Sequence, residues 1–500
     1  MPKEEIINLA LRRSLFFPSA EIYANAPAGF FDFGPDGAAI RRKIVEFWRK
    51  ELVQKEGFVE ISGSQVLPKD VFVASGHLAN FNDPVVECKK CGSVFRADTL
   101  ISSAIGEPVA ESLLPKDFDA LLKKHNVKCS KCRSNDFGGV RSFNMMMEVS
   151  VGAAGKNVSF LRPETCQSIF LDFSRIFKSG RKSLPLGIAQ AGSSFRNEIA
   201  PRNALIRERE IGQIEIEVFF NPKKINEIEN FEEFEDFELN LFLLKSKKVE
   251  RISCANAVSK KIVGGKLVAY YLARLQQFYE KIGVENRLIR FRELEKVARA
   301  FYAKETWDFE VETDLGWIEL VACNYRADFD LSGHQKQSKN DFSVKEEGGT
   351  EAFVPHVFEL SAGLDRTLYV LLDLGFRKEK RGPEERIFLD LHPRIAPFFV
   401  AVFPLVKKDG LLEKGAEIFG ELQGAPFDVF FDEKGSIGKR YARVDEIGVP
   451  WAITVDYDSL KDGAVTLRER NSLVQKRVKI SGLFDVLLEL FLGKTGFEKI

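Results

Sequence analysis

No stretch of this chain is apolar for long enough to cross a bilayer as a helix. The longest such run, near residues 398–406, is short and is interrupted by Pro404. Charge of one sign is not in excess either: 73 basic residues stand against 73 acidic ones. That balance excludes a generally basic nucleic-acid coat but leaves room for local basic patches. Cysteine is scarce, and its total of seven is odd, which argues against a disulfide scaffold. No internal repeat, low-complexity tract or glycine-rich P-loop is found. No charged-then-apolar leader is read at residues 1–10, so a soluble, cytoplasmic protein is the expectation.

What is present suggests several units. A length of 500 residues predicts two to three domains. Residues 1–55 read as helical, then extended, then helical, with Gly34-Pro35-Asp36-Gly37 breaking the chain before an amphipathic run at 38–55. Residues 83–141 form a cysteine-bearing insertion, and strands dominate 158–220. Residues 222–260 mix acids with phenylalanines and read as an amphipathic surface insertion with a solvated acidic face. Helical periodicity covers 266–282, strand returns at 310–322, and a helix is expected just after Gly363. A charged linker punctuated by Gly382 and Pro383 spans 377–386. Alternating strands and helices from about 393 onward predict a separate α/β domain.

Four of the cysteines form two CxxC pairs, Cys88 with Cys91 and Cys129 with Cys132. Tetrahedral zinc takes four such thiolates, and a closed four-sulfur site is structural. Cys166, Cys254 and Cys323 are scattered.

Two distant segments read as one site. The first is Phe195-Arg196-Asn197-Glu198 with Arg207 downstream; the second is Glu359-Leu360-Ser361-Ala362-Gly363-Leu364-Asp365-Arg366. Side chains two apart on a strand point the same way. An arginine there clamps a phosphate through its planar fork, while the neighbouring glutamate accepts from an exocyclic amine. An arginine at a helix start covers a purine face. Together they describe an ATP site. The pattern resembles motifs 2 and 3 of class II aminoacyl-tRNA synthetases, and the surrounding residues resemble the glycyl-tRNA synthetases of archaea and eukaryotes. The supporting segments are Arg162-Pro163-Glu164-Thr165-Cys166-Gln167-Ser168-Ile169-Phe170, the run Glu210–Glu215, Gly316–Leu320 and Arg326–Leu331.

The resemblance implies an α+β protein. Its class II antiparallel-sheet catalytic domain would cover 1–390, with a zinc-binding insertion at 83–141 and a partly helical insertion at 222–300. An α/β anticodon-binding domain would cover 391–500. It implies a glycine–tRNA ligase that forms glycyl-adenylate and passes glycine to the 3′ end of tRNA(Gly), with ATP as substrate, Mg2+ and structural Zn2+. Arg196 is expected at the α-phosphate, Glu198 at the adenine amine and Arg207 toward the γ-phosphate. Arg366 is expected to stack on adenine, and Ile211 stands where a phenylalanine is usual. Glu164, Glu215, Glu319 and Ser361 are expected around the glycine ammonium, with Arg326 helping to position a substrate. Glu319 or a neighbour is expected to ligate magnesium. Crowding at the α-carbon would reject larger amino acids, so no editing domain is needed.

Ile40, Ile44, Phe47 and Trp48 suit an internal core by periodicity, or a homodimer interface by resemblance to motif 1. His77, His334 and His356 are expected to be hydrogen-bonded structural residues. Arg440, Arg443, Arg468, Arg470 and Lys476 are expected to form a basic face for RNA, with Tyr441 or Trp451 stacking on a base. Two alternatives remain: a non-enzymatic synthetase-like nucleic-acid binder, and a ligase for another small amino acid.

Overall fold

Nine strands form the sheet that carries the site. In a computed structural model, residues 2–107, 109–110, 113–153, 157–296, 299–381 and 384–500 are described. The strands are β1 (Val59–Ile61), β2 (Leu186–Phe195), β3 (Glu210–Phe220), β4 (Glu238–Leu243), β5 (Lys248–Ser253), β6 (Ile289–Glu293), β7 (Glu305–Thr313), β8 (Gly316–Ala327) and β9 (His356–Gly363). Their spatial order is β5-β4-β6-β7-β8-β9-β3-β2-β1. The run from β6 to β2 is antiparallel throughout, and the β2–β1 and β4–β6 pairs are parallel.

Strand β3 shows why this sheet differs from an ordinary core sheet. Ile214, Ile216, Val218 and Phe220 lie on one face within the largest apolar core. The alternate positions Gln213, Glu215 and Glu217 are also buried. A sheet buried on both faces normally reads as a continuous apolar run. Polar residues on one buried face mark a functional surface.

Helices cover the apolar face. Helix α1 (Pro35–Trp48) starts with proline in its first turn and buries Ile40, Ile44, Phe47 and Trp48. That stripe is therefore core within one chain, as its periodicity predicts. After α2 (Cys166–Ser179), α3 (Lys266–Lys281) is buried along most of its length. Its Arg274 donates to Glu56 Oε1 at 2.6 Å and to the Glu51 carbonyl at 2.6 Å. Helix α4 (Phe329–Ser338) succeeds β8. Helix α5 (Leu364–Gly375) leaves β9 directly from Gly363. In its first turn Asp365 accepts from the Gly212 amide at 2.5 Å and pairs with Arg41 at 2.6 Å. An acid there also meets the positive end of the helix dipole.

Two segments differ from expectation. Residues 376–389 form a β-hairpin, Phe376–Arg381 with Glu384–Leu389, instead of an open linker. Opposite charges face each other across it, Glu379 from Arg386 and Lys380 from Glu385, and such cross-strand pairs favour a ladder. Gly382 and Pro383 lie outside the described residues. Within 222–260, Phe231 and Phe234 pack into the core while Glu232, Glu233 and Glu235 stay exposed. The same segment holds the β4–β5 hairpin, which extends the main sheet, and a short helix, Cys254–Ser259, after it.

The cysteine-bearing insertion has its own three-stranded sheet, Val94–Arg96, Asn82–Glu87 and Arg141–Asn144, beside helices Ala97–Ile105 and Pro115–Lys124. Val86, Ile101, Phe118 and Leu122 form its small core.

The C-terminal unit is a five-stranded sheet of β10 (Val400–Pro404), β11 (Val429–Phe431), β12 (Trp451–Val455), β13 (Ala464–Glu469) and β14 (Gln475–Lys479), in the order β11-β10-β12-β13-β14. Helices α6 (Leu411–Leu422), α7 (Ile437–Glu446) and α8 (Ile480–Leu492) pack on it. Here the expected basic RNA face needs correction. Arg440 is 2% exposed and donates to the Pro404 and Leu405 carbonyls. Arg468 is buried and grips Asp445 with two bonds, at 3.0 and 2.8 Å. Arg470 is buried against Asp390 at 2.7 Å, and Arg443 pairs with Asp432. Lys476 donates to the Glu498 carbonyl at 2.8 Å. Trp451 packs between Phe399 and Phe497, and the Tyr441 hydroxyl meets Thr454 at 2.5 Å. These side chains hold the unit together.

Asp445 also accepts from Arg386 of the hairpin at 2.8 Å, so one buried carboxylate joins two arginines. Removing one partner of a buried ion pair leaves an uncompensated charge, at a cost of about 3–5 kcal/mol. Asp445→Ala is therefore expected to lower unfolding stability by that order, read by urea titration.

Candidate active site

A cavity of about 350 Å³ opens on the polar face of the sheet, lined by residues from β3, β7, β8, β9 and the start of α5. Its volume suits a small ligand. At its deep end three carboxylates converge. Glu215 on β3 sits opposite Gln190 on one side and Ser361 on the other; it is fully buried and accepts from the Thr165 and Ser361 hydroxyls. Gln190 fixes the loop beneath, donating to the Thr165 carbonyl at 2.7 Å and accepting from the Gly63 amide at 2.6 Å. Glu359 on β9 accepts from Asn324 at 2.5 Å and from Arg326 at 2.8 Å. Glu164, just before α2, has the Cys166 thiol at 3.3 Å, the Tyr302 hydroxyl at 3.4 Å and His77 Nε2 at 3.4 Å.

Arg326 underlies these acids. A β-bulge shifts the β8–β9 register between Tyr325 and Ala327, and bulges re-aim side chains. The guanidinium is fully buried, makes two 2.7 Å bonds to Asp330 and one to Glu359, and lies 3.6 Å from the Tyr302 ring centroid.

Burial and crowding set the charge states. Glu359 is pushed up to about 8, by burial first and by Glu164 and Glu215, with Arg326 opposing. Glu215 is raised by burial and then by Glu164, against the two hydroxyls. Glu217, opposite Glu359 in the register, is raised well above the usual range by burial and by Glu359. Glu164 goes the other way: burial opposes its ionisation, but His77, Arg326 and Arg196 outweigh it and hold the carboxyl below its ordinary range.

The outer end carries the cations. Arg196 donates to the Pro163 carbonyl at 3.1 Å and lies 3.9 Å from Glu164. Arg366 donates to the Ile206 and Glu319 carbonyls at 3.0 and 3.1 Å. Both keep a quarter or more of the side chain exposed, so each has donors available to a ligand. Ile211 lines the cavity between them, on the strand that comes after Arg207. Glu198 and Arg207 do not line this cavity; they form an ion pair at 2.5 Å, and both bonds from Arg207 land on Glu198 Oε2.

In the insertion, the four cysteine sulfurs all lie within 4.8 Å of one another. Cys88 is 3.5 Å from Cys132, and Cys91 is 3.7 Å from Cys129. A tetrahedron with zinc–sulfur bonds of about 2.3 Å has edges of about 3.8 Å, so the set fits. The two turns repeat one geometry. Cys88 and Cys129 amides donate to Ser93 and Ser134 carbonyls, while Gly92 and Arg133, both at positive φ, donate back to Cys88 and Cys129.

An anticodon binding domain matches residues 399–490, and a tRNA synthetase class II core domain (G, H, P, S and T) matches residues 151–374. The chain is 35% identical to the glycine–tRNA ligase of Methanothrix thermoacetophila, over 99% of this chain and 98% of that one. With the glycine–tRNA ligase of Methanocaldococcus jannaschii the identity is 37%, over 97% and 98%. With that of Pyrococcus abyssi it is 36%, over 98% of both. The chain belongs to the glycine–tRNA ligase family. The nine-stranded sheet is thus a class II synthetase core.

Within that glycine–tRNA ligase core, Glu164, Arg196, Ile211, Glu319, Ser361 and Arg366 all line the cavity, and Glu215 abuts it through Ser361. One expectation changes. Glu319 is not in the converging set: its side chain is 43% exposed and lies 3.9 Å from Arg366 at the outer end. Glu359 occupies the place expected of it. The signal is in the sequence, since Glu359 stands two residues before Ser361 on one strand face. His77 and Tyr302 also touch Glu164, and nothing in the sequence singles out either for the site.

A carboxyl raised in the folded state stabilises the fold when protonated. That contribution is complete below its ordinary value of 4.5 and is lost as pH rises through about 8. Glu359→Gln keeps this position neutral, and Arg326 retains Asp330. Wild-type stability is therefore expected to fall relative to Glu359→Gln between about pH 5 and pH 8, read by urea unfolding across that range. Parallel curves would mean that Glu359 is ionised throughout.

Proposed function

We propose that this cavity joins glycine to tRNA(Gly) in two steps. The glycine carboxylate attacks the α-phosphate of ATP, pyrophosphate leaves, and the mixed anhydride then passes glycine to a terminal ribose hydroxyl, releasing AMP. The observation that carries this reading is the convergence of Glu164, Glu215 and Glu359 at the closed end of a cavity whose open end holds Arg196 and Arg366. A ring of acids with a hydroxyl between them suits an ammonium through charge-assisted hydrogen bonds. Buried walls on the same strands leave little room beyond an α-carbon.

Placement assigns the remaining roles. Arg196 takes the α-phosphate and spreads the charge that builds up there. Arg366 covers the adenine, with Ile211 as an aliphatic surface beside it. Glu198 Oε1 accepts from the adenine amine while Arg207 reaches the outer phosphates. At that same end Glu319, with Asp308 behind it, offers the hard oxygen donors that magnesium takes. Asp308 is pushed up to about 8, by burial first and then by Glu319, which points to a surplus of acid there. A magnesium ion would supply neutralisation of phosphate charge. Arg326 reaches substrate only through Glu359, so its role is to orient that acid.

Zinc in the Cys88, Cys91, Cys129 and Cys132 set would be structural. The exposed cations on its two turns, Lys89, Lys90, Lys131 and Arg133, suit the phosphate backbone of the acceptor arm. A homodimer is part of the same reading. Ile22 and Tyr23, 84% and 63% exposed, belong to the segment near motif 1 that would face the partner copy. No helix among the described residues is long and apolar enough to cross a membrane.

Pyrophosphate exchange with glycine, alanine and serine tests the amino-acid assignment: exchange with glycine alone is expected, and Arg196→Ala is expected to lower it by on the order of 10²-fold or more. Exchange with no amino acid would favour the non-enzymatic alternative. For the insertion, Cys129→Ser is expected to abolish bound zinc in elemental analysis and to raise the KM for tRNA. Glycine-dependent exchange should be unchanged.

A further inference from the structure

His77 lies against the closed end of the cavity and is 1% exposed. It opens a short helix, His77–Asn80, after Gly76 at φ 78°. Gly76 is confined by both backbone and space: a Cβ there would meet the Phe301 ring at 3.1 Å in a left-handed conformation that side chains disfavour. The imidazole is fixed on all sides. Its Nδ1 is 2.8 Å from the Ser75 hydroxyl, and both groups are buried. Phe72, Phe81 and Phe301 meet the ring edge-on, at centroid distances of 6.3, 5.6 and 5.9 Å. Its Nε2 has no full hydrogen bond among the described residues and points at Glu164 Oε2, 3.4 Å away.

Glu164 is the member of the acid ring that lacks a short bond. Glu215 has two hydroxyls and Glu359 has Arg326 with Asn324. The neighbours of Glu164, namely Cys166, Tyr302, His77 and Arg196, all stand between 3.3 and 3.9 Å away. Of these, Arg196 is partly exposed and belongs to the nucleotide end, Cys166 is a weak donor, and Tyr302 meets the other oxygen and is only partly buried. His77 is the rigid one.

We propose that His77, held by Ser75, is a positioning residue for glycine: its Nε2–H holds Oε2 of the Glu164 carboxylate, so that Oε1, beside the Tyr302 hydroxyl, is aimed at the substrate ammonium. This rests on the reading of Glu164 as an ammonium acceptor. The tautomer this proposal requires has the Ser75 hydroxyl donating to Nδ1 over 2.8 Å and the ring proton on Nε2, facing Glu164. The second nitrogen of a histidine commonly sets the tautomer of the first in this way. The consequence lies in glycine affinity and reaches neither the nucleotide nor the attacking carboxylate.

The test compares His77→Gln, His77→Asn and Ser75→Ala by pyrophosphate exchange, with KM for glycine and for ATP measured separately and the melting temperature recorded. A glutamine amide nitrogen reaches the place of Nε2, while an asparagine reaches only that of Nδ1. Expected results are a rise in KM for glycine on the order of tenfold for His77→Asn, a smaller rise for Ser75→Ala, and recovery to near wild type for His77→Gln. KM for ATP should stay within about twofold in each. Equal rises in both KM values, or a glutamine variant no better than asparagine, would overturn the proposal and leave His77 as a packing residue. Ser75→Ala removes one hydroxyl and serves where a ring substitution fails to fold; an unchanged glycine KM there would count against the relay. Wild-type protein that exchanges with no amino acid would instead defeat the underlying functional reading.

Discussion

Everything about this site depends on a buried guanidinium that is outnumbered. Arg326 is fully buried, and its Coulomb neighbours include Asp330 and Glu359; Glu215 and Glu217 lie close enough for it to lower their pKa values. One cation does not neutralise that many acids in a dry interior. Part of the group therefore keeps its protons, which is what the raised values of Glu359, Glu215 and Glu217 express. A ligand bearing a compact positive charge completes the balance, and its arrival lets a proton leave. In the function proposed above, a glycine enters ammonium first, with its carboxylate directed outward to Arg196 and the nucleotide.

The backbone is arranged to hold that imbalance still. The bulge at the end of β8 turns Arg326 inward. Two hydroxyls lock Glu215, and Asp365 ties the start of α5 to β3 through the Gly212 amide. Arg162, also buried, donates to the Ser193 carbonyl at 2.9 Å and to the Gly63 carbonyl at 3.2 Å. Its approach needs Gly192 opposite, where a Cβ would overlap the guanidinium. At the outer end the cations are anchored through backbone carbonyls and remain partly exposed. One end of the cavity is thus buried and fixed, and the other is lined by partly exposed cations.

How far this is legible in the sequence varies by residue. The helix start after Gly363 is readable because capping is a local rule; the two-residue spacing of Arg196 and Glu198 does not act as strand alternation, since the strand ends at Phe195 and Arg196 lines the cavity while Glu198 does not. Glu359 is equally readable, two positions before Ser361, yet the family resemblance points to Glu319 instead. The register of β7 against β8 shifts between Phe309 and Glu310, and no local pattern shows where a neighbouring strand places its side chains. Arg440 and Arg468 mislead for a related reason. Their partners, the Pro404 carbonyl and Asp445, lie 36 and 23 residues away, and a lone arginine in a sequence does not show whether it faces solvent or a buried acid. The 377–386 segment reads as a linker when its charges are taken along the chain, whereas they pair across it.

Besides Ile211, the chain departs from the usual pattern of the resembled family at Leu360, Ala362, Cys166 and Ser168, and these departures fall where this geometry tolerates them. Leu360 and Ala362 alternate with Glu359 and Ser361 and so face the apolar core, where both are packed. They alter packing behind the sheet without touching the polar face. Ser168 sits on the buried side of α2 against Gly63, close enough that a Cβ at Gly63 would overlap it. Its bulk therefore fills space beside the 63–64 loop and outside the acid ring. Cys166 is the one departure in contact with a ring member, at 3.3 Å from Glu164. Burial, with Glu164 and Glu215 adding to it, pushes its thiol well above the usual range, so it stays neutral and donates. A neutral donor leaves the number of negative charges around Arg326 unchanged, and in the function proposed above that number is what the ammonium meets.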